Sequence, residues 1–128
     1  MRKKRILASI IMVFLLMLCI TTLPACSSEK VIDFTRMSAV AQETNINKLL
    51  NDSTMLNRVY KMRGSYNSSA LTLYFIDKKG CCPITLNITA AKGVSLPSRS
   101  GTITVIGKYI YTSINGRQVK ALEVTKVL

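Results

Sequence analysis

The sequence predicts a mainly β protein in which one helix precedes five strands, after a separate apolar segment, a signal helix, at the N-terminus. Three observations support this fold class. Apolar and polar residues alternate with a period of two over much of the chain after residue 55, as in strands that bury one face. Glycine and asparagine residues mark turns between these runs. One earlier stretch, residues 38–51, has the spacing of an amphipathic helix.

The first 25 residues have the three parts of a secretory signal peptide. Basic residues at positions 2–5 precede an apolar run over residues 6–20, and the segment T-T-L-P-A-C follows. A bacterial lipoprotein signal needs an aliphatic residue three positions before a cysteine and a small residue just before it; Leu23 and Ala25 meet both needs. We expect cleavage after Ala25 and lipidation of Cys26, palmitate included, which would hold the chain on the extracytoplasmic face of the cell membrane.

Two other interpretations of this segment stay open. The apolar run that ends near Pro24 could span a bilayer as an uncleaved anchor, since a span needs roughly 20 residues. The chain could also be an ordinary secreted protein that is cut near Ala25. The cysteine that follows directly, Cys26, favours the lipoprotein over both alternatives.

Removal of the signal peptide would leave residues 26–128, a single small domain that is less basic than the whole chain. The complete sequence has a formal net charge of +12, and residues 1–25 carry four basic side chains, so +8 remains. A basic surface can meet anionic lipid, cell-wall polymer or nucleic acid. The Lys and Arg residues are scattered, which is typical of a solvated surface. Because the expected location is also outside the cytoplasm, we expect no nucleic-acid partner.

The first part of this domain is a polar tether over residues 26–30, followed by a lead-in and a helix over residues 31–54. Residues 31–34 suit a short extended lead-in. Ser38 can cap the start of the helix, and the N-D-S sequence from Asn51 onward ends it. The apolar stripe of this helix consists of Ala39, Ile46, Leu49 and Leu50.

Five strands follow within residues 55–128. In the first, Gly64 marks a bend or bulge, and Tyr60, Met62 and Tyr66 share one face. The third has the clearest alternation. The predicted strands cover residues 58–66, 70–76, 82–89, 102–114 and 118–127.

The third strand directs Ile84, Leu86 and Ile88 to the core, with polar residues between them. The pair Asn115 and Gly116 is the strongest turn signal in the chain, because a type I′ hairpin needs positive φ at both central residues. A pause over residues 90–101 separates the third strand from the fourth.

Five strands with this pause and a closing hairpin follow the order of an OB-fold barrel. Closure removes the exposed edges of a small sheet. The fourth and fifth strands are long enough to coil around such a barrel. We therefore expect a five-stranded OB-like barrel, with an open antiparallel sheet packed on the helix as the alternative.

Two adjacent thiols, Cys81 and Cys82, are the only residues that suggest chemistry. They could bind a soft metal, form a strained, redox-labile vicinal disulfide, or be structural thiols half packed in the core. A closed zinc site needs four ligands, whereas the domain offers two cysteines and no histidine. Adjacent residues on a strand also point to opposite faces, which disfavours one shared ion.

No catalytic constellation is visible, so we expect a protein that is not an enzyme and has no cofactor. Histidine is absent, which excludes Ser-His and Cys-His pairs, and the six carboxylates are scattered. Stacking on nucleic acid would need exposed aromatic residues. We expect most tyrosines to pack in or near the core instead, with their hydroxyls at its rim. These are Tyr60, Tyr66, Tyr74, Tyr109 and Tyr111.

Several segments together resemble a known group of proteins. They are I-D-F-T-R-M at residues 32–37, N-R-V-Y-K-M-R-G at 57–64, L-Y-F-I-D at 73–77, G-C-C-P at 80–83 and G-T-I-T-V-I-G-K-Y at 101–109. The chain resembles small OB-fold-like lipoproteins of Gram-positive bacteria that carry a paired-cysteine C-C-x-x-G-L-E-F segment. It is also similar to the C-terminal domain of the YcgQ-like permease-associated family.

This resemblance implies little about biochemistry beyond a link, in some members, to metal-ion uptake systems. The chain departs from the pattern after its cysteine pair, where Thr85 and Asn87 replace the family's Gly and Glu. A metal role is weakened accordingly. Two functional hypotheses follow: a non-enzymatic binding or accessory lipoprotein that serves a transport system or the envelope, and a thiol-dependent redox or metal-linked module acting through Cys81 and Cys82.

Overall fold

The computed structural model describes residues 28–76 and 79–128, which form a six-stranded mixed sheet with one α-helix. The expected signal peptide and the lipidation site Cys26 lie outside the described residues. The elements in chain order are β1 Val31–Asp33, a 3₁₀ turn Phe34–Arg36, α1 Ala39–Asn51, a 3₁₀ turn Ser53–Met55, β2 Val59–Asn67, β3 Thr72–Ile76, β4 Pro83–Ala90, β5 Gly101–Ile114 and β6 Arg117–Val127.

The predicted helix is confirmed, including its start. The Ser38 hydroxyl accepts a hydrogen bond from the Ala41 amide at 3.3 Å, which satisfies one of the free donors of the first turn. Ile46 and Leu49 are buried as expected. Ala39 is exposed, contrary to the predicted stripe, because the first turn of α1 stands at the edge of the sheet.

The five predicted strands are confirmed to within two residues at each end, and a sixth was missed. Three residues predicted only as a lead-in form β1, which pairs in parallel with β2 from Val31 opposite Val59 to Asp33 opposite Lys61. The edge of β2 is what makes this segment a strand, since three residues show no periodicity of their own.

The strand pairings combine antiparallel hairpins with two parallel contacts. The antiparallel pairs are β2–β3, β3–β4, β5–β6 and β2–β5. The parallel pairs are β1–β2 and β4–β6. The order is β1-β2-β3-β4-β6-β5, and the further pairing of β2 with β5 gives β2 three partners and each of β3, β4, β5 and β6 two. The sheet is therefore mixed.

One apolar cluster joins the helix to the inner side of the sheet. Ile46 and Leu49 of α1 contribute to it, together with Phe34 from the first 3₁₀ turn. The Phe34 ring meets the Tyr60 ring edge to face, with centroids 5.3 Å apart. The inward faces predicted for the first and third strands are confirmed, with Ile84 only partly buried. The rest of the cluster consists of Met55, Tyr60, Met62, Tyr66, Leu73, Phe75, Leu86, Ile88, Val105, Tyr109, Leu122 and Val124.

Two glycine predictions had different outcomes. Asn115 and Gly116 have φ values of 52° and 76°, so the expected type I′ geometry of the β5–β6 turn is confirmed. No bulge occurs at Gly64, whose pairing with Ile103 continues the register of β2 and β5 unbroken. The irregularity lies instead between β5 and β6: Ile106 is opposite Lys126 and Gly107 is opposite Val124, so Thr125 of β6 is the extra residue. Such a bulge increases the local twist of the strand that carries it.

Candidate functional site

The cysteine pair lies in the connection between β3 and β4, just before β4 begins at Pro83. Cys81 is in a bend and Cys82 follows it, with Gly80 at a φ of 71°. Because neither residue belongs to the strand, the expectation that the two side chains point to opposite faces is wrong. Their Sγ atoms lie 3.4 Å apart. Both thiols therefore face the same region of space.

This geometry bears on the three interpretations of the pair. Both cysteines are exposed, which contradicts the idea of thiols half packed in the core. A separation of 3.4 Å is longer than a disulfide bond of roughly 2.05 Å, so the structure holds two thiols. Among the described residues no group of three or more His, Cys, Asp or Glu side chains is arranged to hold a metal ion. The pair on its own supplies two soft ligands.

Sequence reasoning missed a groove between the first half of α1 and strands β2 and β3. It has a volume of about 250 Å³. Gln42 and Glu43 of α1 line one side, and Arg63 and Ser65 of β2 line the other, with Tyr74 of β3 beside them. We call this the α1–β2–β3 groove. No sequence signal could have revealed it, because its lining residues come from separate elements.

The groove exists because β2 and β3 diverge. β2 and β3 form only three residue pairs, from Ser65 opposite Tyr74 to Asn67 opposite Thr72. In contrast, β3 pairs with β4 along its whole length. At the point of divergence, a Cβ atom on Gly64 would lie 3.1 Å from both the Phe75 ring and the Tyr74 carbonyl oxygen. Glycine therefore allows the two strands to approach closely at the base of the groove.

The lining combines an apolar base with a polar rim. Ile46 and Phe75 are buried apolar residues of the base. A carboxylate, a guanidinium group and an amide, from Glu43, Arg63 and Gln42, lie around it. A concave site of this mixed character is typical of ligand-binding clefts, where apolar contacts supply affinity and a few polar groups fix orientation.

Electrostatic contacts fix the segment that leads out toward Cys26. The Lys108 ammonium group donates a hydrogen bond to the Glu29 carboxylate at 2.6 Å. Asp33 lies between Arg36 and Lys61, with nitrogen to oxygen distances of 3.6 and 3.7 Å. Hydrogen bonds from Thr35 lower the pKa of Asp33, and these two cations lower it further. The chain is thus tied to the sheet from residue 29 onward.

The tyrosines follow the expectation in part. Tyr60, Tyr66 and Tyr109 are buried, whereas Tyr111 is 55% exposed. The Tyr60 hydroxyl donates a hydrogen bond to the Met55 carbonyl oxygen at 2.8 Å. The Tyr109 hydroxyl is buried and has no partner among the described residues, so the idea that the hydroxyls lie at the rim is wrong for this residue. Burial raises the pKa of Tyr109 to about 12.

Within the part of the chain that the structure describes, no helix combines the length and the apolar character needed to cross a membrane. Comparisons with models of known protein families, with curated proteins and with solved structures found no match. The proposals below therefore depend on the sequence motifs and on the geometry alone.

Proposed function

We propose that the chain is a lipoprotein anchored by Cys26 to the extracytoplasmic face of the cell membrane, where it acts as a non-enzymatic binding or accessory module. The observation that carries the proposal is the spacing between the lipidation motif and the fold. The strand β1 begins at Val31, five residues after Cys26. A mature chain that starts at Cys26 would thus keep the complete folded domain and a short tether.

The sheet supports the finer proposal of a closed, OB-like barrel. Numbered from β2, the five long strands pair in the order 1-2-3-5-4, and the first also pairs with the fourth. This is the strand order of an OB barrel, with the first strand shared between two neighbours and the third parallel to the fifth. The helix precedes these strands and packs against their core through Ile46 and Leu49.

The α1–β2–β3 groove is the proposed binding site of this module. Its mixed lining suits a small polar ligand or an exposed segment of a partner in a transport system or in the envelope. The resemblance to OB-fold-like lipoproteins and to the YcgQ-like permease-associated family supports the same kind of role.

Acylation is tested by growth of a host that expresses the full chain with a labelled fatty acid. The labelled fatty acid should be incorporated into the protein, and the protein should be found in the membrane fraction. Cys26→Ala should abolish both the labelling and the membrane localisation. Cys19→Ala is the matched control, because that cysteine lies in the proposed signal peptide and should leave both unchanged. Equal labelling of the two variants would contradict the anchor.

Binding is tested with a photo-crosslinking residue placed in the full chain in native membranes. A crosslinker at Ser65, in the groove, should give an adduct of defined mass. The same group at Ser98, on the loop between β4 and β5, should not. The absence of an adduct at Ser65, or equal adducts at both positions, would contradict the groove as the site. A hydrolytic or transfer activity of the purified protein would contradict a purely binding role.

A thiol-dependent module is the second candidate function, favoured by the exposure of Cys81 and Cys82 and by the 3.4 Å between their sulfur atoms. An oxidant could join them as a vicinal disulfide after rearrangement of the turn, and two thiolates could bind a soft metal with further ligands from a partner. Either role requires both sulfur atoms to be accessible.

Alkylation with mass spectrometry separates these roles. A redox pair should take up two alkyl groups in the native protein only after reduction. A metal-linked pair should be protected until a chelator is added. Immediate uptake of two groups without either treatment, together with an unchanged phenotype of Cys81→Ser and Cys82→Ser, would contradict the thiol-dependent module.

A further inference from the structure

We propose that the end of the domain that carries the tether is a membrane-facing surface that contacts anionic lipid headgroups. The surface, called the tether-end surface below, consists of Lys30, Arg58, Tyr111, Arg117 and Lys120. The inference deepens the proposed function, because it assumes a domain held at a bilayer, and it adds which side of the domain meets that bilayer.

The strand register places these residues at one end of the molecule. Val31 of β1 is level with Val59 of β2, and Val59 is level with Lys108 of β5. Beyond Lys108, β5 continues for six residues to Ile114. The first of these, Tyr109, still exchanges backbone hydrogen bonds with Asn57 and Arg58, and the other five pair, within the described residues, with β6 alone. At a rise of roughly 3.4 Å per residue, these six residues extend about 20 Å past the start of β1. The β5–β6 hairpin therefore projects at the end where the tether leaves.

The length of chain outside the described residues puts the lipid close to this end. Only residues 29 and 30 separate Ser28 from Val31, and Cys26 is two residues before Ser28. Five residues span at most about 17 Å when fully extended. The projecting hairpin is at least as long as this tether. A bilayer that holds the lipid on Cys26 is therefore within reach of the hairpin tip.

The tether-end surface has the charge that suits an anionic bilayer. Lys30, Arg58 and Arg117 are exposed, and Lys120 is partly so. Two acidic side chains lie near these cations: Glu29 already pairs with Lys108, and Asp52 is close enough to Arg58 for that cation to help lower its pKa. The cations outnumber these two carboxylates. Each Lys or Arg near an anionic leaflet adds attraction, and several together orient a domain that is already tethered.

An exposed aromatic residue, Tyr111, lies beside one of these cations, Lys120. Tyr111 is 55% exposed, and the Lys120 ammonium group lies 5.9 Å from the centre of its ring on the neighbouring strand. The same ammonium group donates to the Leu50 carbonyl oxygen at the end of α1, which holds the Lys120 stem in place. A tyrosine ring suits the headgroup region, because its body is apolar and its hydroxyl is polar.

A cleft of about 290 Å³ opens in the same surface. Lys30 and Arg58 supply cations to its lining, and Ile32 and Val59 supply apolar contacts. The Glu29 carboxylate also lines the cleft, and its charge is compensated by the ion pair with Lys108. A phosphate headgroup beside the start of an acyl chain presents the complementary pattern. The cleft therefore adds a concave site of suitable lining to the positive charge of the tether-end surface.

Tryptophan fluorescence can test this orientation, because the chain contains no tryptophan of its own. The probe is the full chain reconstituted in vesicles that contain phosphatidylglycerol and brominated phospholipid, which quenches nearby indole rings. Tyr111→Trp reports on the tether-end surface. Leu128→Trp is the matched control, since Leu128 has the same 55% exposure but bonds to Thr104, seven residues away from Tyr111 along β5.

Quenching of Tyr111→Trp should be about threefold stronger than quenching of Leu128→Trp, since the attraction of several cations favours one orientation. Adding Arg58→Glu and Arg117→Glu to the Tyr111→Trp chain should reduce its quenching to the level of the control. Lys92→Glu with Arg99→Glu makes the same change of charge on the loop between β4 and β5 and should have no effect. Equal quenching of the two tryptophan variants on vesicle-bound protein would overturn the proposal.

Mass analysis of Cys26 in the same samples separates this proposal from the anchor. If Cys26 is lipidated and the two tryptophan variants are quenched equally, the proposed anchor stands and the proposed tether-end surface is overturned. Unmodified Cys26 with selective quenching of Tyr111→Trp on anionic vesicles supports the surface and overturns the anchor. Unmodified Cys26 without selective quenching overturns both.

Discussion

At the scale of single residues, the two fully buried tyrosines Tyr60 and Tyr109 differ in whether their hydroxyl groups are hydrogen-bonded. The Tyr60 hydroxyl has a hydrogen-bond acceptor, the Met55 carbonyl oxygen. The Tyr109 hydroxyl has no partner among the described residues. A buried polar group without a partner loses its hydrogen bonds to water and gains none in return. The same chemical change should therefore have different effects at the two positions.

Tyr60→Phe should lower the free energy of unfolding by about 1 kcal/mol, because it removes a hydrogen bond and leaves a carbonyl oxygen without its donor. Tyr109→Phe should leave that free energy unchanged or raise it slightly, because the hydroxyl it removes has no partner. Urea denaturation of both variants measures the difference. A larger loss for Tyr109→Phe than for Tyr60→Phe would contradict the assignment of the hydrogen bonds.

Tyr109 should also make the fold sensitive to alkaline pH. Burial raises its pKa to about 12 in the folded chain, against 10.0 as the ordinary value for tyrosine. Between these two values the unfolded chain loses the proton and the folded chain keeps it, so the free energy of unfolding falls as pH rises. Below pH 10 this contribution is complete. Urea denaturation of the wild type between pH 9 and about 12 should show the fall.

Tyr109→Phe is the control for this pH dependence and should have a smaller fall over the same range. Some fall should remain, because burial also raises the pKa of Tyr60. Identical pH profiles for the wild type and Tyr109→Phe would show that Tyr109 does not ionise differently in the two states.

At the scale of elements, Gly107 allows β5 and β6 to pack across the bulge. A Cβ atom at Gly107 would lie 2.6 Å from the Glu123 carbonyl oxygen and 2.9 Å from the Leu122 side chain. Since the first contact is with backbone, β6 itself would have to move. At Gly64 the closest contacts are 3.1 Å, and one of them is the edge of the Phe75 ring.

Gly107→Ala should therefore lower the free energy of unfolding by about 2 kcal/mol or more, as overpacking of a core does. Gly64→Ala should cost less, because the Phe75 ring can shift by a few tenths of an ångström. Denaturation curves of the two variants under one condition give the order directly. The reverse order would contradict the position of the bulge.

The sequence predicted those elements whose information is local. The alternation of Ile84, Leu86 and Ile88 placed β4, Ser38 placed the start of α1, and Asn115 with Gly116 placed the β5–β6 turn. Each pattern depends on residues that are neighbours in the chain.

The features that the sequence did not predict depend on distant partners. β1 is a strand only because the edge of β2 is beside it. The α1–β2–β3 groove requires the divergence of two strands at Gly64. The orientation of Cys81 and Cys82 depends on a turn with positive φ at Gly80, and the strand prediction began one residue too early. Periodicity carries no information on any of these.

At the scale of the whole molecule, the pairing of β2 with β5 is the contact that distinguishes the proposed closed barrel from an open sheet. In residues 105–108, β5 pairs with β6 on one side and with β2 on the other. In residues 110–114, it pairs with β6 alone. Each strand amide points to one side only, so alternate amides report on the β2 side.

Amide hydrogen exchange followed residue by residue should distinguish these two parts of β5. In residues 105–108, the amides that point away from β6 donate to β2 and should exchange only on global unfolding. In residues 110–114, the amides that point away from β6 should exchange rapidly, because none of the described strands lies beside that side of the hairpin. The second group is an internal control on the same strand. Rapid exchange of alternate amides in both parts would make β5 an open edge and would favour an open sheet packed on α1 over the proposed OB-like barrel.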